Sequence, residues 1–326
     1  MKETRMMTIT RVLTLVLLPV LATTAVAQPY PGKSIRIVVP SSPGGGLDTV
    51  SRAMGQHLTA SWKQSVVIDN RAGAGGTIGP DLVAKAAPDG YTLLIVSATF
   101  AVNPSVYPKL PYDSLKDFAP IVLATTQPQV LSVHTTVPAR SIKELVALAK
   151  AKPGQLNYAS PGAGTMSQLA FEVFKMAAGV DIVHVPYKGA GLSMTAIVSG
   201  ETHASTASAV SVLPFVKSGR IRPLATSGAR RLPAMPDLPT MAEQGLPGAT
   251  ISGWYAYLAP AGTPRAIIGK LNAELRRILD LPEMREQLAR DGSEAAGGTP
   301  EDLRRHLASE IARLGKVIKA SGTTTQ

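Results

Sequence analysis

Short apolar runs alternate with stretches of helical periodicity along most of the chain. Ile35, Ile37, Val38 and Val39 form a run suited to a buried strand, stopped by Pro40 and Pro43. Gly44, Gly45 and Gly46 follow, and Asp48 stands where a helix N-cap or first-turn carboxylate belongs, ahead of Val50, Ala53, Met54 and Leu58. The same alternation predicts strands over 65–69 and 91–96 and a helix over 77–87. It then predicts an irregular connection over 103–117 and one or two extended strands over 121–124 and 130–133.

A second set begins after Pro138. Ser141 caps a helix to Lys150, with Glu144 completing a capping box. A strand over 156–159 leads into a second glycine turn, Ser160-Pro-Gly-Ala-Gly-Thr165, and a helix over 167–178. Strand 182–185, a helix to Val198, a short strand over 202–205, helix 210–217 and strand 221–226 follow. A loop dense in Pro and Gly covers 230–248, and strand 254–259 leads to three helices, 264–279, 282–290 and 300–319, each with Pro in its first turn. Repeated strand–turn–helix units predict an α/β fold with mostly parallel sheets flanked by helices. The two extended candidates, 121–133 and 252–259, would carry the chain out of a first lobe and back. This gives lobes at 28–128 plus 253–326 and at 129–252, around a cleft, with the C-terminal helices on the first lobe.

Ligands of open α/β sheets bind at the carboxyl ends of strands, where both glycine turns fall. Unpaired amides at a helix start, beside Ser41 and Ser42 in one turn and Ser160, Thr165 and Ser167 in the other, suit an anion. The alternative is a plain strand–helix turn with capping hydroxyls. Gln168 projects just beyond Thr165. Tyr187 and Lys188 stand at another helix entrance, with Tyr187 placed to close the cleft. His203 falls near a strand end expected to face the cleft.

Composition narrows the chemistry. The 326 residues suffice for two domains, and 45% are hydrophobic, but aromatics are only 5%, too few for a base-stacking surface. The formal charge is +11. Its positive residues are scattered rather than clustered, which argues against nucleic acid and leaves a field mildly favouring small anions. Residues 1–27 read as a secretory signal: Lys2, Arg5 and Arg11, an apolar stretch over 12–20, and Ala25-Val26-Ala27 at a cleavage site. A periplasmic address and a monomeric product are expected. With no cysteine, disulfides, thiolate catalysis and lipid attachment through an N-terminal cysteine are excluded.

Enzyme motifs are absent. No GxxxxGK[ST] or GxSxG occurs, and Gly73-Ala-Gly75-Gly76-Thr-Ile-Gly79 misses the dinucleotide fingerprint because Ile78 stands where glycine is needed. His57, His134, His184, His203 and His306 lack metal-ligand spacing; His57 and His306 are expected at the surface and His184 in the core. No cofactor and no catalytic residue is expected.

Several segments, in order, resemble the periplasmic solute receptors of tripartite tricarboxylate transporters, the Bug receptors. They are Tyr30-Pro-Gly-Lys33, Pro43-Gly-Gly-Gly-Leu-Asp48, Asn70-Arg-Ala-Gly-Ala-Gly-Gly-Thr-Ile-Gly79 and Ala84-Lys-Ala-Ala-Pro-Asp-Gly-Tyr-Thr-Leu-Leu94. His184-Val-Pro-Tyr-Lys-Gly189, Pro239-Thr-Met-Ala-Glu-Gln-Gly-Leu-Pro-Gly248 and Ala259-Pro-Ala-Gly-Thr-Pro264 complete the set. The resemblance implies a two-lobed, type II-like binding protein that captures a small di- or tricarboxylate or related organic acid and delivers it to membrane transporter subunits. A receptor docking on a sensor kinase and an exported hydrolase are the alternatives. Carried over by motif, the ligand residues are Ser41, Ser42, Gly45, Gly46 and Asp48 with Ala98 and Thr99 in one lobe. In the other they are Ser160, Gly164, Thr165 and Ser167, with Tyr187 and Ser205. The chain departs from the family pattern at Gln168, often His, and after Gly200, where an acidic residue is common and this chain has Thr202-His-Ala-Ser-Thr-Ala207. Losing that carboxylate and gaining His203 favours a plain carboxylate over an amino-bearing ligand.

Overall fold

The computed structural model describes residues 30–290 and 292–321. The signal-peptide reading of 1–27 lies outside the described residues. In the first half, β1 (Ile35–Val39) leads to α1 (Gly46–Trp62), β2 (Val66–Asn70) to α2 (Ile78–Ala84), and β3 (Thr92–Ser97) to α3 (Thr99–Val106). One long strand, β4 (Phe118–His134), then runs into the second lobe. There the chain forms α4 (Ile142–Ala151), β5 (Asn157–Ser160), α5 (Met166–Ala178), β6 (Val183–Pro186), α6 (Ala190–Ser199), β7 (Ala204–Ser208), α7 (Ala209–Lys217) and β8 (Ile221–Thr226). It returns through β9 (Ser252–Pro260) to α8 (Arg265–Leu279), α9 (Pro282–Arg290), β10 (Glu294–Gly297) and α10 (Pro300–Ser321).

The sheet is mixed. β2, β1 and β3 are parallel, and β9 enters antiparallel between β3 and β4. Beyond the crossing, β4 pairs antiparallel with β7 and β8, while β7, β5 and β6 are parallel. β4 exchanges partners between Pro128, opposite Ser252 of β9, and Gln129, opposite Ser208 of β7. A strand shared by both lobes follows from its composition: an apolar run with Thr125 and Thr126, buried almost throughout.

Strands covered on both faces read as continuous apolar runs. Ile35, Ile37 and Val39 of β1 with Leu93 and Ile95 of β3 pack under α1 and α8. Val38, Leu94 and Val96 face the opposite way, toward Phe100 of α3 and Leu303, Leu307 and Leu314 of α10. The second lobe has its own core of Tyr158, Phe171, Phe174 and Ile142.

Four expectations change. The stretch read as irregular from 103 instead opens inside α3, because Phe100, Ala101, Val102 and Asn103 are buried and Pro104 is accommodated within the helix. β10 was not anticipated; Glu294–Gly297 carries no apolar alternation and is paired by register with Leu123–Thr126. α10 packs beyond the first lobe: Leu303 and Leu314 share a cluster with Leu169 and Val173 of α5, and Arg313 Nη1 donates to Thr250 O at 3.0 Å. At α4, Ser141 Oγ accepts from Glu144 N as expected, but Glu144 Oε2 accepts from the preceding residue, Arg140 N, at 2.6 Å.

Candidate functional site

Four strands, β1, β3, β5 and β7, end at one region, and each is followed there by a helix. A cavity of about 300 Å³ lies among these helix starts. Gly46 of α1, Ala98 and Thr99 of α3, Gly164 and Met166 at α5, and Ser208 before α7 line it, together with Gln127 and Gln129 of β4 and Trp254 and Tyr255 of β9. Gly292 and Ser293 close one side. None of the lining residues is charged. Helix N-termini present unpaired amides and a partial positive charge, so the helix starts direct positive dipole ends at a wall that holds no lysine or arginine.

The two glycine turns are built alike. Gly44 has φ +83° and Gly164 φ +76°, conformations that favour glycine. In the first turn Gly44 N donates to Asp48 Oδ2 at 2.9 Å. In the second Gly164 N donates to Gln168 Oε1 at 2.7 Å. Each acceptor sits four residues on, in the first turn of the helix. Asp48 is 3% exposed and also accepts from Arg52 Nε at 2.9 Å and Asn70 Nδ2 at 3.0 Å; Asn70 Nδ2 reaches Ser41 O as well. The Arg52 guanidinium and the Gly44 amide hold the Asp48 carboxyl below the usual carboxylate range, against the burial that raises it. In the second turn Thr165 Oγ1 donates to Gly162 O at 2.8 Å and accepts from Gln168 N at 3.3 Å. The Gly44 amide of the first turn and the Gly162, Gly164 and Thr165 amides of the second are thus committed. The amides of Gly45, Gly46, Met166 and Ser167 meet no protein acceptor among the described residues.

Gly46 is required by a close approach: a Cβ there would stand 2.6 Å from the Tyr255 hydroxyl. Gly45 is not so constrained, since the nearest atom to a Cβ would be Ser42 O at 3.7 Å. Hydroxyls complete the lining. Ser97 Oγ and Thr99 Oγ1 are 2.7 Å apart, and Ser208 Oγ caps α7 and lies 2.9 Å from Ser211 Oγ. Gln129 Nε2 donates to Gln127 O at 3.2 Å, and Gln129 Oε1 accepts from Ser167 Oγ at 3.3 Å.

Of the residues expected at the site, Gly46, Ala98, Thr99 and Gly164 line the cavity, and Ser167 touches it through Gln129. The others are placed differently, each for a physical reason. Asp48 and Gln168 hold the turns, and Thr165 caps its helix. Ser41, Ser42 and Gly45 belong to the first turn but not to the cavity wall. Ser160 is fully buried and its Oγ lies 2.6 Å from His184 Nε2. Tyr187 turns away, its hydroxyl donating to Glu201 Oε1 at 2.8 Å. Ser205 is mid-strand and 2% exposed, between Ser132 and Ala159. His203 is at the wrong edge: it precedes β7 and lies 2.7 Å from Asn157 Oδ1, at the start of β5, whereas the glycine turn follows the end of β5. Its presence therefore says nothing about cleft charge. His184, half-buried and stacked on Tyr158 at 4.8 Å, is internally satisfied. His306 departs from its surface reading; it packs edge-on against Trp254 at 5.2 Å, and burial lowers its pKa.

Gln127, Gln129, Ser97, Ser208, Met166, Trp254 and Tyr255 escaped the sequence reading. Gln127 and Gln129 carried a signal: two long polar side chains at spacing two in a strand share a face. Ser208 is three residues past Ser205, where β7 ends.

A family model described as "Tripartite tricarboxylate transporter family receptor" matches residues 50–323. Protein BugT of Bordetella pertussis is 37% identical over 93% of this chain and 95% of its own length. The solved structure of R. palustris Rpa4515 with adipate is 36% identical, with a TM-score of 0.72, covering 90% of this chain and 99% of that one. MatC (Rpa3494) from Rhodopseudomonas palustris with bound malate is 32% identical, with a TM-score of 0.68, covering 89% and 100%. With a match across nearly all of the described fold, and a cleft built from paired glycine turns, the chain belongs to the tripartite tricarboxylate transporter receptor family.

Proposed function

We propose that the protein is an extracytoplasmic receptor, exported to the periplasm by the signal at 1–27, that captures a small organic acid and passes it to the membrane subunits of a tripartite tricarboxylate transporter. It acts as a monomer. Its lobes, 28–128 with 253–326 and 129–252, close on the ligand about the crossing strands β4 and β9. The observation carrying this reading is the convergence of four helix N-termini on a cavity lined by no charged side chain. A carboxylate is stabilised there by the open amides of Gly46, Met166 and Ser167 and the hydroxyls of Ser97, Thr99 and Ser208. An ammonium finds no carboxylate in that wall. The adipate and malate held by the two relatives support the ligand class. No chemistry is assigned to the site: the nearest Ser–His pair, Ser160 and His184, is buried away from the cavity and bonded within the second lobe.

Titration calorimetry of the mature protein against succinate, malate, adipate, citrate, glutamate and nicotinamide tests the proposal. Micromolar or tighter binding of at least one plain carboxylate, with glutamate and nicotinamide inert, is the expected result. Preference for an amino acid, or turnover of a bound acid, overturns it.

A further inference from the structure

Helix α10 contributes no residue to the cavity wall, yet it holds one that does. Trp254 of β9 is fully buried, lines the cavity, and donates from its indole Nε1 to Glu310 Oε2 of α10 at 3.2 Å. His306, one turn earlier on the same helix, packs edge-on against the indole at 5.2 Å. Glu310 is itself only 6% exposed. Its other oxygen, Oε1, accepts from Arg313 Nε at 3.0 Å and from Arg313 Nη2 at 2.7 Å. Residues three apart share one face of a helix, so the ion pair forms within α10.

Arg313 has a third contact, and it leaves the first lobe. Its Nη1 donates to Thr250 O at 3.0 Å. Thr250 lies two residues before β9 begins, on the segment that brings the chain back from the second lobe. That segment is tied to the second lobe through Ile251, both of whose backbone groups are bonded to Ser227. Ile251 N donates to Ser227 O at 2.8 Å, and Ser227 Oγ donates to Ile251 O at 2.6 Å. Ser227 N in turn donates to Gln129 O at 2.7 Å, where β4 enters the second lobe. One carboxylate–guanidinium pair thus grips the returning chain at two points, the Thr250 carbonyl and the Trp254 indole, roughly 13 Å apart along an extended backbone. Replacing a buried ion pair by apolar residues of like volume is often neutral for stability. The distinctive contribution of this pair is what it orients.

Resting on the receptor reading above, we infer that Glu310 and Arg313 are positioning residues for ligand capture, although neither lines the cavity. Glu310 fixes the indole in the cavity wall. Arg313 fixes the second lobe against that wall at the point where the chain returns. Loss of either loosens the spacing between the opposed helix starts that hold the acid.

Calorimetry and tryptophan emission test this on the mature protein in a Trp62→Phe background, which leaves Trp254 as the reporting indole. The probe is whichever of succinate, malate, adipate and citrate binds that parent most tightly. Glu310→Gln leaves either the indole N–H or the guanidinium facing an amide NH₂ instead of an acceptor. A shifted Trp254 emission and about tenfold weaker binding are expected. Arg313→Lys keeps a cation beside Glu310 but loses the fork that reaches Glu310 and Thr250 together. About fivefold weaker binding is expected, with Trp254 emission unchanged. Leu275→Ala, in the buried core under α8, is the control for lost stability: it lowers the urea midpoint and leaves affinity within about twofold. Unchanged affinity in either Glu310→Gln or Arg313→Lys overturns the inference, as does a loss in Leu275→Ala as large as theirs. Binding of none of the four acids by the parent overturns the receptor reading beneath it.

Discussion

In the first lobe a carboxylate holds the glycine turn; in the second a carboxamide does the same task. Gly44 and Gly164 both adopt left-handed backbone, and both amides are accepted by the residue four places on, Asp48 or Gln168. The surroundings differ. Asp48 gathers Arg52 and Asn70, so the first turn is tied to α1 and β2 through one ionised group. Gln168 serves a turn fastened by neutral hydroxyls, Thr165 and Ser160. The comparison teaches that the two turns share a geometry but not a pH response. It also shows that residues resembling ligand contacts in sequence can be the fastenings that leave neighbouring amides open.

The sharpest way to break the comparison is at the amides themselves. Gly46→Val drives a side chain into the Tyr255 hydroxyl and fills the cavity mouth, and at least a hundredfold loss of ligand affinity is expected by calorimetry. Gly45→Ala, where a Cβ has room, changes affinity by less than about twofold. This separates Gly46 from Gly45, two glycines that the sequence ranks alike.

A smaller effect separates the fastenings. Asp48→Ala removes an acceptor of three donors and costs about 1–2 kcal/mol in urea unfolding, discounted because its arginine partner is half exposed. Gln168→Ala costs about 1 kcal/mol. Similar losses of affinity in both variants would support equal roles for the two turns, and an unchanged affinity in either would remove that turn from the site.

The smallest effect is in pH. Because the folded Asp48 carboxyl lies below its ordinary value, its stabilisation is complete above the usual carboxylate range and is lost as pH falls through the lowered one. The stability gap between wild type and Asp48→Asn should therefore shrink as pH falls below the ordinary carboxylate range, while the gap between wild type and Gln168→Ala stays flat. A gap for Asp48→Asn that persists at acid pH would show that the carboxylate's charge contributes nothing to the turn.

The sequence by itself determined the strand–glycine turn–helix units, because proline, glycine and apolar periodicity act within a few residues, and it determined the family through the ordered motifs. Gly46 and Gly164, which line the cavity, were legible for the same reason, since each stands where a strand gives way to a helix, whereas Ala98 and Thr99 came through the resemblance. Where side chains point was not legible. Asp48, Gln168 and Tyr187 have donors and acceptors free to face either ligand or protein, and partners distant in sequence, Asn70 or Glu201, settled the matter. His203 and Ser205 were misplaced because strand direction and length, set by pairing with β4 and β5, decide which edge a residue occupies. Gln127, Gln129, Tyr255 and the Gly292 border enter the site only where β4, β9 and the α9–β10 segment are brought beside the helix starts. Only the tertiary structure could decide that, since the energy that places them comes from packing across the crossing strands rather than from their own neighbours in the chain.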